Sequence, residues 1–264
     1  MKETKTPLSV AIITKNEEKN LPECLKSVSF ADDIVVVVDS GSTDRTVEIA
    51  KEFGCRVFIE EWKGYGPQKN SAIDKCKHDC VLVLDADERI PEGTREEIIR
   101  IITTPDSADA YSFLRKNFFH GKWIRHCGWW PDRVKRLVKK GKGRFHSIVH
   151  EKWITTGSVK DSKVHIEHHL EHHSFNDYSE MLRKLDEYST LAAAELYNAG
   201  FKPSILAPFY HGISMFFKTY ILKMGLLDGL DGLVIAFTAA SGSFFKYAKL
   251  LELQRFKNDG VADK

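Results

Sequence analysis

The stretch Val81-Leu82-Val83-Leu84-Asp85-Ala86-Asp87-Glu88 constrains this chain more than any other. Four aliphatic residues run straight into three carboxylates. An apolar run without alternation reads as a strand buried on both faces, the kind found in parallel sheets. Ligands of such sheets sit outside the carboxyl ends of the strands, so Asp85 and Asp87 emerge where a ligand can meet them. Two carboxylates one residue apart can hold one hard divalent ion, with phosphate oxygens filling its other positions. The plainer reading is a surface turn before a helix, since Pro91 and Glu92 suit a helix start. An isolated Asp-x-Asp is common, and its weight depends on what precedes it.

What precedes it is a regular alternation. Residues 8–13 read as a first strand and Asn16 and Glu17 follow at its end. Residues 21–28 read as a helix with Leu21, Cys24, Leu25 and Val28 on one face. Residues 34–38 form a second buried strand, ending in the small polar loop Asp39-Ser-Gly-Ser-Thr-Asp44, where Asp44 is placed to cap a helix over 45–53 that Gly54 ends. Residues 56–60 are a third strand. Pro67 starts a further helix, with Gln68, Lys69 and Asn70 in its first turn. Residues 80–84 then lead into the carboxylates. Strand and helix in turn argue for βαβ units and a parallel sheet. Singly, each polar residue at a strand end is a cap or a turn; together they gather amides and carboxylates on one sheet edge. A dinucleotide-binding Gly-x-Gly-x-x-Gly is missing after the first strand, which reads Thr-Lys-Asn-Glu-Glu, and there is no P-loop.

At 264 residues the chain suits one large domain, or one domain with an extension. Lys+Arg 39 against Asp+Glu 37 excludes a general polyanion binder, so no nucleic-acid partner is expected. Five cysteines without paired metal spacing point to reduced thiols used in packing, with Cys76 and Cys80 placed to share a helix face. Residues 8–13 are too short an apolar stretch for a signal-peptide core, so a cytoplasmic protein is expected.

Residues 8–18, 35–46, 64–70 and 81–88 resemble the family 2 inverting glycosyltransferases of the GT-A fold, which carry a first-strand Asn-Glu, an Asp-x-Gly-Ser-x-Asp loop, a Lys/Arg-Asn pair and Asp-x-Asp. Trp130-Pro-Asp-Arg-Val, Gly143-Arg-Phe, Val149-His-Glu151 and Gly225-Leu-Leu-Asp-Gly229 resemble its branch of lipopolysaccharide core glucosyltransferases. The resemblance implies an α/β GT-A fold, Rossmann-like, with a mostly parallel sheet flanked by helices and a C-terminal helical extension. It implies that Asn16, Glu17, Asp39, Asp44, Lys69, Asn70 and Asp85 surround a nucleotide sugar, with Glu17 and Asp39 on its base or ribose. Asp85 would bind ribose or metal, and Asp87 a divalent cation, Mg²⁺ or Mn²⁺, that bridges the diphosphate. That cation serves as a Lewis acid for the leaving group. Inversion needs a base on the far side of the sugar; Glu151 is the first candidate and Asp132 the second.

Beyond residue 90, residues 112–119 read as a strand and 123–130 as an aromatic loop, with Trp129 and Trp130 either stacking on sugar or anchoring the loop. From Arg133 to Arg144 there are seven basic residues and no acidic one. That run reads either as a solvated strand edge or as a contact for acceptor or membrane phosphates. Five histidines follow, at 165, 168, 169, 172 and 173, in no zinc spacing. By resemblance, His172 in His172-His-Ser-Phe175 is the one that reaches the metal, with His173 its competitor. Residues 178–198 read as a long helix whose Met181, Leu185, Tyr188, Ala192 and Leu196 share a face, ended by Gly200. Residues 203–222 and 233–251 are helical and apolar but too short to span a bilayer; they lie on its surface with their lysines at the headgroups, or pack on the catalytic domain or a dimer partner.

The expected organisation is a catalytic domain over 1–175, with 1–104 binding nucleotide sugar and 105–175 on the acceptor side, and a helical extension over 176–264. The expected function is metal-dependent inverting transfer of a hexose from a nucleoside-diphosphate sugar, UDP-glucose first, to a lipopolysaccharide core or similar lipid-linked glycan at the inner membrane. The alternatives are a nucleotidyltransferase, which lacks its Gly-rich basic loop here, and a non-catalytic nucleotide-sugar-binding module.

Overall fold

A computed structural model describes residues 7–104, 108–146, 152–155, 157–161, 169–175 and 177–258. In chain order the elements are β1 Leu8–Thr14, α1 Leu21–Ser27, β2 Asp33–Asp39, α2 Thr46–Glu52, β3 Arg56–Glu60, α3 Tyr65–Lys75, β4 Cys80–Asp85, β5 Glu88–Arg89, α4 Glu92–Thr103, β6 Ala110–Phe119, β7 Lys122–Trp123 and β8 Asp132–Lys139. There follow β9 Arg144–His146, β10 Lys152–Ile154, β11 Val159–Asp161, β12 His169–Phe175, α5 Tyr178–Asn198, α6 Ala207–Phe217 and α7 Leu230–Asn258. The chain divides into two compact units. The first holds Met1–Lys116 and Asp132–His173; the second holds Asn117–Pro131 and Ser174–Lys264.

In the first unit, β3-β2-β1-β4 run parallel, as the uninterrupted apolar runs predict. All seven residues of β1 are buried. One face carries Val10, Ile12, Val36, Leu82 and Leu84; the other carries Ala11, Ile13, Val35, Val37 and Val83. β8 then pairs antiparallel with both β4 and β6, so the sheet is parallel in its nucleotide half and mixed beyond it. The basic run on β8 is therefore in an interior strand, not at a solvated edge. Arg136 is buried, Lys135 donates to the Trp153 carbonyl at 3.1 Å, and Lys140 donates to the Cys76 carbonyl at 2.8 Å.

Helix starts and side-chain faces differ in places from expectation. α3 begins at Tyr65, two residues ahead of Pro67, because Gly64 takes φ 92° and Pro67 then occupies the first turn, where a missing N–H costs little. Cys76 caps that helix while Cys80 opens β4, so the two share no helix face; β4 claims Cys80 through its pairing with Leu8. All five cysteines are free thiols, and burial pushes Cys55 and Cys80 up to about 11 and Cys76 and Cys127 up to about 12, as packing residues require.

In the second unit, α5 buries Met181, Ser189 and Ala193 and leaves Tyr188 exposed. The buried stripe is one residue on from the expected one at its centre. Lys249 of α7 reaches over α5 to the Asp186 carbonyl and the Ser189 hydroxyl, both at 2.9 Å, and small residues on α5 make room for it. Among the described residues no helix is long and apolar enough to cross a membrane.

Candidate active site

The carboxyl end of β4 delivers two carboxylates into different surroundings. Asp85 is gripped by cations: buried Lys69 on α3 places its Nζ 2.9 Å from Oδ1, and Arg136 on β8 places Nη2 2.6 Å from Oδ2. Burial alone would raise the Asp85 pKa, but Lys69 and Arg136 outweigh it and hold the carboxyl well below the usual range. The same Arg136 nitrogen donates to Glu88 Oε1 at 2.7 Å, and Glu88 is fully buried. Glu88 also takes Nη1 of Arg115 at 2.9 Å, and Arg115 in turn donates to Asp132 Oδ2 at 2.8 Å. Lys69, Asp85, Arg136, Glu88, Arg115 and Asp132 thus form one chain of alternating charge. Each buried ion meets at least one opposite charge, and Asp85, Arg136, Glu88 and Arg115 meet two, which is what makes burying them tolerable.

Asp87 stands outside that chain. Its Oδ2 lies 3.3 Å from His172 Nε2. The pairing is a matter of register: β5 and β12 run antiparallel with His172 opposite Glu88, and the His173 N–H donates to the Asp87 carbonyl at 3.0 Å. His172, not His173, is the histidine at the acidic pair. His169 and His173 instead flank Glu171, whose pKa falls to about 2, chiefly through hydrogen bonds from these two rings. His165 and His168 lie outside the described residues.

A donor set of one carboxylate oxygen and one imidazole nitrogen, with further places left for phosphate and water, fits Mg²⁺ or Mn²⁺. Asp85 fits a metal less well, since both of its oxygens already meet cations. Among the described residues no group of three or more His, Cys, Asp or Glu side chains forms a complete protein cage.

A second cluster gathers at the ends of β1 and β2. Asp39 is 4% exposed, its Oδ2 2.7 Å from Lys15 Nζ, and its Oδ1 accepts the Gly41 N–H at 2.9 Å. Burial raises its pKa, but these two donors prevail and keep it ionised. Asn16, at φ 52°, donates its N–H to Ser42 Oγ and accepts the Thr43 N–H at 2.8 Å. The Glu17 N–H donates to Thr46 Oγ1 at 2.8 Å, and Asp44 accepts the N–H groups of Glu18 and Thr46. Asn16, Glu17 and Asp44 therefore stitch the two loops into one surface. Asn70 turns away: its amide exchanges two hydrogen bonds with the Phe145 backbone and fixes β9 to α3. Glu151 lies outside the described residues. Arg136, Glu88 and Arg115 were given no role from sequence. Glu88 was visible as the third carboxylate after β4, but its partners lie on strands distant in the chain.

A model of glycosyl transferase family 2 matches residues 9–163. The chain belongs to that family. It is 29% identical to lipopolysaccharide core biosynthesis glycosyltransferase LpsC of Rhizobium meliloti (strain 1021), covering 92% of this chain and 94% of that one. It is 31% identical to the uncharacterized glycosyltransferase RT0209 of Rickettsia typhi (strain ATCC VR-144 / Wilmington), covering 97% and 90%. In fold it is similar to the mannosyltransferase PcManGT from Pyrobaculum calidifontis, solved in complex with GDP-Man and Mn²⁺, at TM-score 0.50 and 17% identity over 96% of this chain and 81% of that one. The protein is a family 2 glycosyltransferase with the GT-A architecture and C-terminal helices.

Proposed function

We propose that this glycosyltransferase moves a hexose, with inversion, from a nucleoside-diphosphate sugar, UDP-glucose first, to a lipopolysaccharide core or similar lipid-linked glycan. The different surroundings of Asp85 and Asp87 carry the reading: one carboxylate is locked between Lys69 and Arg136 in a buried ion network, while the other faces the His172 ring at 3.3 Å. Asp85, rigid between Lys69 and Arg136, offers a fixed acceptor to a ribose hydroxyl. Asp39 and the stitched loops after β1 and β2 line the base side. Asp87 and His172 would hold a divalent cation, Mg²⁺ or Mn²⁺, and when bound it neutralises charge growing on the leaving diphosphate. Glu151, at the position where the family resemblance places an acidic residue, is the proposed base for the acceptor proton, and the pairing of Asp132 with Arg115 makes Asp132 the second candidate. Similarity to LpsC over nearly its full length supports the core-glycan acceptor.

The test is release of nucleoside diphosphate from UDP-, GDP- and ADP-sugars with Mn²⁺ or Mg²⁺. The expected result is metal-dependent turnover of one donor, reduced on the order of 10²-fold or more in Asp87→Ala. Binding of no nucleotide sugar by folded protein would overturn the reading.

A further inference from the structure

The second unit carries an apolar face that its own core does not use. On α6, Phe209, Ile213 and Phe217 recur every four residues along one side and are 57%, 59% and 58% exposed. The same three residues wall an apolar groove of about 380 Å³ against α7. Beyond the helix, Leu222, Leu227 and Leu230 are 78%, 56% and 69% exposed. Large apolar side chains held this far into water along one short stretch of chain mark an interaction site.

The segment that bears the leucines is firmly built. Asp228 is buried; its side chain accepts the His126 N–H at 2.9 Å, and its carbonyl accepts Lys122 Nζ at 2.6 Å. A Cβ on Gly225 would sit 2.8 Å from Cys127 Sγ and from the Thr219 carbonyl oxygen, and one on Gly232 would collide with the Gly225 carbonyl. The backbone here is fixed by tight packing and a buried carboxylate, and it holds leucines out in water where they cost free energy.

Charge identifies what covers them. From residue 199 to residue 227 there is no Asp or Glu, while Lys202, Lys218 and Lys223 are all exposed. The two acids that follow, Asp228 and Asp231, are turned inward, Asp228 buried and Asp231 paired with Lys122, and further acids of the unit lie on α5 at Glu180, Asp186, Glu187 and Glu195. Apolar side chains interleaved with lysines, and no exposed acid, complement a lipid surface that offers acyl chains beneath phosphate headgroups. A second copy complements it poorly. A two-fold contact sets each lysine near its equivalents with no carboxylate between them, and lysine is depleted from interface cores.

We propose that α6 and the turn after it form a membrane-docking face that seats on an anionic bilayer surface, with Phe217, Leu222 and Leu227 in the interface and Lys202, Lys218 and Lys223 at the headgroups. The purpose of this face rests on the reading of a lipid-linked acceptor: it brings the enzyme to the plane in which that acceptor is anchored. With no spanning helix among the described residues, the contact is peripheral.

The test is co-sedimentation of the full-length protein with vesicles of phosphatidylcholine alone or mixed with phosphatidylglycerol. The expected result is binding to the mixed vesicles, weakened by about tenfold or more in high salt, in Leu222→Ser/Leu227→Ser and in Lys202→Glu/Lys218→Glu. These residues are exposed, so thermal melts of the variants should match the parent. Failure of the parent to bind the mixed vesicles, or undiminished binding by both variants, overturns the proposal. A dimer in light scattering that the leucine substitutions dissociate also overturns it and assigns the face to a second copy. Donor hydrolysis by the same preparations without vesicles separates the two readings. Hydrolysis without docking removes the membrane face alone, and docking without hydrolysis removes the proposed donor reading alone.

Discussion

Asp85 and Asp87 are separated by one residue and do different work, because Asp85 closes β4 whereas Asp87 sits in the turn between β4 and β5, where the strand's alternation no longer holds. Asp85 needs its cations, and they need it. Arg136 has an especially heavy duty, since one nitrogen serves both Asp85 and the fully buried Glu88. Arg136→Met leaves Glu88 with Arg115 and Asp85 with Lys69. The expected cost is about 3–5 kcal/mol in urea unfolding, the usual penalty for breaking a buried pair from one side, together with weakened nucleotide binding. The two histidines give a sharper contrast. His172→Asn should raise the Mn²⁺ concentration needed for half-maximal donor hydrolysis by roughly tenfold or more, the scale on which metal sites respond to lost support, whereas His173→Asn should leave it near the parent value. Equal effects would mean that the ring near Asp87 does not meet the metal. The acidic pair after β4 was legible from strand and spacing, and the resemblance pointed to one of His172 and His173 near it; the register of β12 against β5 then sets His172 beside Asp87. The cationic half of the network was not. Arg115 and Arg136 reach Glu88 only because β8 and β6 come back beside β4, and no local pattern in the chain encodes that return.

At the scale of elements, local pattern predicts existence well and surroundings less well. The parallel strands and α5 fall where hydrophobic periodicity places them. The basic run on β8 was open to two readings, a solvated edge or a phosphate contact, and its interior position was in neither, because a lysine- and arginine-rich strand reads as solvated unless buried acids are known to await it. The buried stripe of α5 is displaced because small Ser189 takes the Lys249 ammonium and small Ala193 packs with Tyr247 and Leu250 of α7, where size and not hydrophobicity decides. The tie between β3 and α3 makes a prediction at this scale. Glu60 at the end of β3 accepts from Ser71 at 2.8 Å and pairs with Lys75 at 2.5 Å, both on α3, and with Lys63 at 2.9 Å. Burial raises its pKa, but hydrogen bonds from Lys75, Lys63 and Ser71 prevail and take it from an ordinary 4.5 down to about 2. A carboxyl lowered on folding contributes stability that is fully present above its unfolded pKa and is lost as pH falls through the folded value. The contribution is on the order of 1–2 kcal/mol after solvent screening. Unfolding free energy should therefore decline between about pH 4.5 and pH 2, and Glu60→Gln should flatten that part of the curve. An unchanged slope in Glu60→Gln would place the acid sensitivity in other carboxylates.

Across the whole molecule, the chain passes between its two units three times, and this bears on where it can be cut. A boundary after residue 175, proposed from the change in character at 176, follows the sequence. The second unit also includes Asn117–Pro131, which lies well before that boundary. Phe119 and Ile124 are fully buried there and Cys127 nearly so, in one cluster with Met181 of α5 and Ile235 of α7. The Asp228 carboxylate satisfies the His126 N–H of the same segment. Ending the chain at residue 175 would strip all of these partners away. Returning two or three such side chains to water costs roughly 1.5–3 kcal/mol each, which together approaches the 5–15 kcal/mol that typically holds a domain folded. The truncated chain is therefore expected to aggregate or to bind a hydrophobic dye at full strength, and to show no cooperative melt, although every residue placed at the nucleotide site lies before the cut. A monomeric 1–175 fragment that melts cooperatively and binds the nucleotide donor as tightly as the full chain would show the opposite: the first unit would then be self-sufficient, and the helices would serve docking alone.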